Sequence, residues 1–245
     1  MLPEPGISDI DGTPALMPGE VHVWTIRLGA APAPDAAMLD AGELERAAKF
    51  VFDRDRLAFV RRRTALRRIL GVYLKVAPVD VSIRTGMHDK PELGPPFERS
   101  GLHFNVSNSA DLALCAVTLD GPVGVDVEQI RPMADLDGVA ELVLSPNERA
   151  VFAAAGETER LTLFHAAWTR KEAYLKARGE GLLRSPTLIE CGALLGEAGE
   201  PIRDEDDAVA ASDWQLTAWE AAPGYGAALV TKTRCGRIGH FALSA

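Results

Sequence analysis

The chain has 245 residues, 47% of them hydrophobic, and a formal net charge of −9 at pH 7. This length accommodates one large domain or two small ones, and the acidic balance argues against a general nucleic-acid-binding protein. No apolar run approaches the ~18 residues of a membrane span, the start of the chain lacks a signal-peptide pattern and the cysteines have no paired spacing, so we expect a cytoplasmic protein without a membrane partner.

The first half of the chain predicts strands separated by two helices. Residues 1–19 are rich in Pro and Gly and predict a loose segment. Asp40 is a candidate cap for a helix that runs towards Phe52, and apolar residues at helical spacing predict a second helix over 54–76. Apolar runs bounded by turn residues predict strands at 21–27, 79–84, 102–106 and 112–118.

The second half repeats this order after a turn at Gly121. Ser145, Pro146 and Glu148 form a capping-box pattern that predicts the start of a helix. A longer helix is predicted over 158–178, with Gly179 as its stop. Strands are predicted at 123–128, 188–194, 214–220, 225–231 and 238–243.

Seven arginines lie within 54–68, a high density for an acidic chain. On the predicted helix, three of them border the apolar face: Arg56, Arg63 and Arg67. Three others point to the opposite side: Arg54, Arg61 and Arg68. This basic segment indicates a local anionic ligand, and a solvated helix flank is an equally open alternative.

The predicted helix over 158–178 carries a carboxylate on its apolar face. At 100° per residue, Glu172 falls on the same stripe as Phe164, Trp168 and Leu175. A carboxylate in such surroundings is costly unless it is paired, hydrogen-bonded or bound to a metal. An ion pair with Lys176, four residues later, and a metal site are both consistent with this pattern.

Two further carboxylates follow each other at strand spacing. Asp126 and Glu128 project from one face of the predicted strand, whereas Val125 and Val127 face the other way. Together with Glu172 they would form an all-oxygen cage of the kind that Mg²⁺ prefers. The alternative is the solvent-facing edge of an amphipathic strand.

Small polar residues follow the predicted strand at 102–106. Hydroxyl, amide and backbone N–H groups of Asn105, Ser107 and Asn108 would be able to hold phosphate oxygens. A plain turn explains the same composition.

These motifs together resemble the paired signature of the 4′-phosphopantetheinyl transferases. The signature consists of 124–128, followed about forty residues later by Trp168, Lys171-Glu172-Ala173 and Lys176. Three upstream features also fit the pattern, namely 104–107, the Lys90-Pro91 step and Arg46. The resemblance is strongest to the larger, two-halved class of the family.

The resemblance implies an α/β (α+β) fold of two similar halves, each a small antiparallel sheet packed on a long helix. The halves would span 1–119 and 120–245, with the active site at their junction and the metal site in the second half. It also implies transfer of 4′-phosphopantetheine from coenzyme A, the co-substrate, to a serine of an acyl or peptidyl carrier protein. The reaction would depend on Mg²⁺ and release 3′,5′-ADP.

The resemblance also assigns roles to single residues. Asp126 and Glu172 would be metal ligands, Glu128 a third ligand, Glu172 the base for the serine proton, and Lys176 a phosphate-binding residue. The nucleotide end of the coenzyme would be lined by residues from both sides of the fold: Arg46, Arg63, Lys90, Asn105, Ser107 and Asn108.

The chain departs from the family pattern at two positions. Asn108 stands where the family commonly has histidine, and an amide donates hydrogen bonds without carrying charge. Thr85 stands where relatives carry a basic residue, which Arg63 is expected to replace.

Two other functions share the same residues. A Mg²⁺-dependent phosphohydrolase would use the carboxylates with water as acceptor, and a non-catalytic relative would only bind coenzyme A or a carrier protein. For the transferase we expect a monomer that does not bind nucleic acid, and whose basic segment attracts an acidic carrier.

Overall fold

The computed structural model describes residues 10–29, 35–86, 90–179, 184–192, 202–232 and 236–244. The predicted loose segment before residue 10, much of the loop around residue 88 and Cys235 lie outside these ranges. The described residues form a mixed α+β fold with small sheets, and none of their helices is long and apolar enough to cross a membrane.

The first sheet has four strands in the order β11-β1-β5-β4. These strands are β1 (Glu20–Arg27), β4 (His103–Ser109), β5 (Leu112–Thr118) and β11 (Arg237–Ser244). β1 is antiparallel to β5 and parallel to β11. The expectation of an antiparallel sheet in each half is therefore wrong for this sheet, because β11, which lies far along the chain, adds to its edge in the parallel direction.

The central strand β5 is buried along its whole length because both of its faces are covered. Ala113, Cys115 and Val117 pack with α2 (Asp53–Leu74) on one face. The alternate residues, Leu114 among them, pack against the second sheet. The two-residue periodicity of a strand therefore joins two hydrophobic cores in one element.

The second sheet has the antiparallel order β6-β10-β9. Its strands are β6 (Val123–Gln129), β9 (Gln215–Ala222) and β10 (Tyr225–Thr231). The long helix α5 (Glu157–Arg178) packs across β6 and β10, and its left-handed C-cap is Gly179, as the sequence predicts.

Shorter elements connect and flank the two sheets. The helices are α1 (Ala41–Ala48), α3 (Leu136–Val143), α4 (Pro146–Ala154) and α6 (Ala208–Ala211). The short strands are β2 (Ile83–Thr85), β3 (Pro91–Leu93), β7 (Ile189–Glu190) and β8 (Arg203–Asp204). Asp40 and Ser145 form the capping boxes of α1 and α4, which confirms both predicted helix starts.

Several predicted boundaries are wrong. Residues 78–80 form a 3₁₀ turn rather than the first part of a strand, and 186–188 form another before β7. The predicted helix over 54–76 ends at Leu74, where Lys75 adopts a left-handed conformation and Val76 hydrogen-bonds back to the Gly71 carbonyl. Four short elements, α3, α6, β3 and β8, are absent from the sequence interpretation because none is long enough to show a clear period.

The contact between β6 and α5 depends on a glycine. A Cβ on Gly124 would overlap the carbonyl oxygen of Ala173 and the backbone nitrogen of Ala177. The missing side chain lets the helix backbone lie directly on the strand, at the residue that follows Glu172 and two residues before Asp126.

We therefore expect Gly124→Ala to lower the free energy of unfolding by roughly 2–3 kcal/mol, because backbone atoms on both sides must move apart. Gly226→Ala in the paired strand β10 is the control, since its Cβ would meet no atom within 4 Å. Urea denaturation of both variants measures the difference. Equal losses for the two variants would show that the strand and helix are not in tight contact.

Candidate active site

The two sheets meet where β4 of the first lies beside β6 of the second. Side chains of these two strands hold this seam together. Ser107 Oγ donates to Asp126 Oδ1 at 2.6 Å, and Ser109 Oγ donates to Glu128 Oε2 at 2.7 Å. Because side chains on one face of a strand recur every two residues, the two serines match the two carboxylates. The sequence prediction that Asp126 and Glu128 share a face is confirmed.

Asn105 has a different partner from the one expected. Its side-chain oxygen accepts the backbone N–H of Val125 at 2.9 Å, and the residue is buried. Asn105 thus joins the backbone of β6 to β4 below the two serines. This bond occupies the amide oxygen, so the expected contact with a coenzyme would come from the side-chain NH₂ group.

Helix α5 places a lysine against the first carboxylate. Lys176 Nζ lies 2.6 Å from Asp126 Oδ1 and donates to Ser107 Oγ at 2.9 Å. Lys90 Nζ donates to the backbone carbonyl of Lys176 at 3.2 Å, which brings the 90–91 step to the same place. Within the described residues, the carboxylate in ion-pair contact with Lys176 is Asp126 rather than Glu172.

The three carboxylates act on one another electrostatically. Burial raises the pKa of the Glu172 carboxyl, Lys176 opposes this shift, and the charges of Asp126 and Glu128 add to it. Burial also raises the pKa of Asp126, against the effects of Lys176 and Ser107. The seam therefore concentrates negative charge where water is scarce, and a positive partner would stabilise it.

The donor set fits a hard divalent cation. Asp126 is 2% exposed, and its Oδ2 atom has no hydrogen-bond partner among the described residues. No three His, Cys, Asp or Glu side chains in the part of the chain described here lie close enough to hold an ion between them. Mg²⁺ characteristically takes one or two carboxylates and completes its shell with waters and phosphate oxygens, which matches a partial site of this kind.

Both carboxylate oxygens of Glu128 accept hydrogen bonds. Besides Ser109 on one oxygen, Trp168 Nε1 donates to Glu128 Oε1 at 3.3 Å. A cation at Glu128 would compete with these donors, whereas Asp126 Oδ2 is free of such competition. The predicted set of three ligands stays a prediction.

A basic cavity of about 150 Å³ lies beside the end of β4. Four of the predicted coenzyme-binding residues line it: Arg46, Arg63, Ser107 and Asn108. The guanidinium groups of Arg46 and Arg63 both lie over the Phe59 ring, at 5.8 and 5.7 Å from its centroid.

Arg62 also lines this cavity and was assigned to no site from the sequence. The sequence does contain a signal for Arg62, because it lies three residues after Phe59 and four before Leu66, on the apolar stripe of α2. A charged residue on that stripe is the signal that the face meets something other than a hydrophobic core.

Two of the arginines expected to reach a site do not line the cavity. Arg56 is exposed and pairs with Asp53 at 3.0 Å. Arg67 is 1% exposed and clamps α1 to α2 through Asp40 and Glu43, at 2.7 and 2.8 Å. Arg56 thus fits the alternative of a solvated helix flank, and Arg67 fits neither interpretation. Helical spacing gives the direction of a side chain but not the element that lies there.

The first lysine of the long-helix motif, Lys171, pairs with a carboxylate other than Asp126, Glu128 or Glu172. Lys171 is fully buried and lies 2.5 Å from Glu148 Oε2. It also donates to the carbonyls of Val143 and Pro186, at 2.8 and 2.9 Å. Lys171 therefore ties α5 to the end of α3 and to the start of α4, which fixes the rotation of the helix that presents Glu172.

Comparisons with known proteins agree on one family. Residues 122–230 match the sequence profile of the 4′-phosphopantetheinyl transferase superfamily. The 4′-phosphopantetheinyl transferase HetI of Nostoc sp. is 40% identical over 172 residues, which cover 69% of this chain and 73% of HetI.

Two further relatives match over shorter stretches. The 4′-phosphopantetheinyl transferase gsp of Aneurinibacillus migulanus is 30% identical over 128 residues, which cover 51% of this chain and 53% of gsp. The 4′-phosphopantetheinyl transferase AcpT of Escherichia coli K12 is 38% identical over 94 residues, or 38% of this chain and 47% of AcpT. The chain thus spans about half the length of these two relatives.

The anchoring role of Lys171 predicts a strong coupling with Glu148. Lys171→Met should lower the free energy of unfolding by about 3–5 kcal/mol, because it leaves a buried carboxylate without its cation. Adding Glu148→Gln, which keeps an acceptor for the helix cap, should recover part of this loss. Urea denaturation of the two single variants and the double variant measures the coupling, and strictly additive losses would contradict the buried pair.

Proposed function

The chain belongs to the 4′-phosphopantetheinyl transferase superfamily, and we propose that the seam between β4, β6 and α5 is where it carries out the transfer. The enzyme moves 4′-phosphopantetheine from coenzyme A to a serine of a carrier protein and releases 3′,5′-ADP. The observation that supports this location is the meeting of Lys176, Asp126 and Ser107 within hydrogen-bond distance, next to Glu172.

The chemistry is a phosphoryl transfer, in which positioning and charge neutralisation do most of the work. The serine oxygen forms a bond to the phosphorus that carries the pantetheine arm, and the bond from that phosphorus to the bridging oxygen breaks. The electron pair leaves with 3′,5′-ADP, and the serine proton passes to a base on the enzyme.

We assign the base to Glu172. It is half-buried close to Asp126, Glu128 and Lys176, and its carboxylate is able to accept the serine proton directly or through a water. Its place on α5 is fixed from behind by Lys171 and from the strand side by the close contact at Gly124.

Lys176 and a metal ion held by the carboxylates would together neutralise the negative charge of the diphosphate. Lys176 would hold phosphate oxygens, exchanging its contact with Asp126 for one with the coenzyme. Mg²⁺ held by Asp126 and Glu172, with Glu128 as the third ligand, would supply charge neutralisation to the leaving group.

The nucleotide end of coenzyme A would lie towards the basic cavity. Arg46, Arg63, Ser107 and Asn108 line that cavity together with Pro91. The neighbouring Lys90 donates to the backbone carbonyl of Lys176. Asn105 supports this region because its amide oxygen accepts the backbone N–H of Val125 in β6.

The architecture supports a two-halved enzyme that acts as a monomer. The sheet of β1 packs on α2 and the sheet of β6 packs on α5, so each proposed half, 1–119 and 120–245, supplies a long helix and most of one sheet. The exception is β11, which comes from the second half and completes the sheet of the first. One chain would then supply both sides of a seam that a dimer interface would otherwise provide. We place the enzyme in the cytoplasm, where the buried free thiols of Cys115 and Cys191 would stay reduced.

Incubation with coenzyme A, Mg²⁺ and an apo-carrier protein tests the function directly. We expect mass spectrometry to show the phosphopantetheine adduct on the carrier serine, and 3′,5′-ADP to form only when the carrier is present. Formation of 3′,5′-ADP without a carrier would favour a phosphohydrolase. A carrier that stays unmodified while coenzyme A binds would favour a non-catalytic module.

Glu172→Gln should lower the rate of carrier modification by about 10²-fold to 10⁴-fold, because the amide cannot accept the serine proton. Glu159→Gln, on the exposed first turn of the same helix, is the matched control and should keep the wild-type rate. The unfolding midpoint of each variant shows whether the fold is intact. A Glu172→Gln enzyme with more than a tenth of wild-type activity would rule out this residue as the base.

A further inference from the structure

The basic cavity has more positive charge than the protein neutralises. Arg63 lies 3.6 Å from Glu43 Oε1, but the same carboxylate also pairs with Arg67 at 2.8 Å. Arg62 has no carboxylate within 4 Å among the residues that the structure describes, although its guanidinium group is half-buried.

The positive charges of the arginines that line the cavity also repel one another. Burial lowers the pKa of Arg62, and the charges of Arg63 and Arg46 lower it further, against the opposing charge of Asp55. Burial likewise lowers the pKa of Arg63, against the opposing effect of Glu43. Because guanidinium groups stay protonated in proteins, this repulsion is a cost of the free enzyme that a bound anion would relieve.

The β4 side of the cavity offers no cation. Ser107 and Asn108 line it with a hydroxyl and an amide, which donate hydrogen bonds without charge. All three lining arginines come instead from α1 and α2. The charge that meets a ligand here therefore comes from the helix side.

A phosphate monoester is the anion that suits this geometry. It carries up to two negative charges, and planar guanidinium groups bind its oxygens through paired N–H donors. Coenzyme A has such a group, the 3′-phosphate that leaves as part of 3′,5′-ADP, whereas dephospho-coenzyme A lacks it and is otherwise identical.

We propose that Arg62 is the residue that makes the enzyme select coenzyme A over dephospho-coenzyme A, by supplying from α2 the cation that Asn108 does not supply from β4. The inference rests on the proposed function only in placing the nucleotide of coenzyme A in this cavity. It assigns the selection to a residue outside the sequence signature of the family. It also implies that Arg62 supplies the positive charge that position 108 lacks.

Isothermal calorimetry with the two ligands tests the selection. Arg62→Ala should weaken the binding of coenzyme A about 10-fold to 100-fold and that of dephospho-coenzyme A less than about 2-fold, because only the former has the monoester. Arg62→Lys should be intermediate, since it keeps the charge but loses the paired donors. Arg54→Ala, an exposed arginine on the same helix that pairs with Asp55, is the control and should change neither constant.

A second variant tests the partnership with position 108. In the Arg62→Ala background, Asn108→His restores a cation at low pH only, because histidine loses its charge between pH 6 and 8. Compared with Arg62→Ala at the same pH, the double variant should bind coenzyme A several-fold more tightly at about pH 6 and equally at about pH 8. This comparison cancels the titration of the phosphate itself.

Equal weakening of both ligands by Arg62→Ala, or unchanged binding of coenzyme A, would overturn the assignment of Arg62. A double variant that binds coenzyme A no more tightly than Arg62→Ala at low pH would overturn the inference that Arg62 supplies the charge that position 108 lacks. The readout is binding, so it is independent of carrier modification. A wild-type enzyme that binds coenzyme A but modifies no carrier would refute the proposed function and leave the test of Arg62 valid.

Discussion

The structure depends on the stabilisation of the buried Asp126 carboxylate at the seam between the two sheets. Burying a carboxylate costs several kcal/mol unless donors and cations compensate for it. Here Ser107 from one sheet and Lys176 from the long helix meet the same oxygen, Oδ1. The second oxygen has no partner in the described structure, which is the condition expected of a group whose partner is a ligand. Sheets and helix are therefore held together at the point where we propose that the transfer takes place.

The long-helix motif combines two different tasks in neighbouring residues. Lys171 and Glu172 lie 100° apart on the helix, so one faces the body of the protein and the other faces the seam. The buried pair of Lys171 with Glu148 fixes the helix, and the close approach at Gly124 sets its distance from the strand. Sequence signatures of this kind mix residues that react with residues that hold them, and only the surroundings separate the two.

Local periodicity was sufficient to predict the parts of the site that lie on regular elements. The spacing of Asp126 and Glu128 placed both on one face of β6, and the capping pattern at Ser145 gave a helix start. Features that depend on distant parts of the chain were not predictable in this way. Nothing in the apolar pattern of 238–243 specifies that β11 pairs in parallel with β1, and nothing at Asn105 shows that its amide holds the backbone of β6. Arg67 and Arg62 were misjudged or unassigned for the same reason, since helical spacing does not show whether Glu43 or an open cavity lies opposite.

The central claim is that Asp126 and Glu172 share one divalent ion with the diphosphate of coenzyme A. A crystal structure of the enzyme with coenzyme A and Mn²⁺ tests it most directly, because anomalous scattering locates the ion independently of the model of the protein. The account predicts an ion bonded to both carboxylates and to diphosphate oxygens, with Lys176 Nζ moved from Asp126 to a phosphate oxygen. An ion bound to neither carboxylate, or a diphosphate lying away from Lys176, would contradict it.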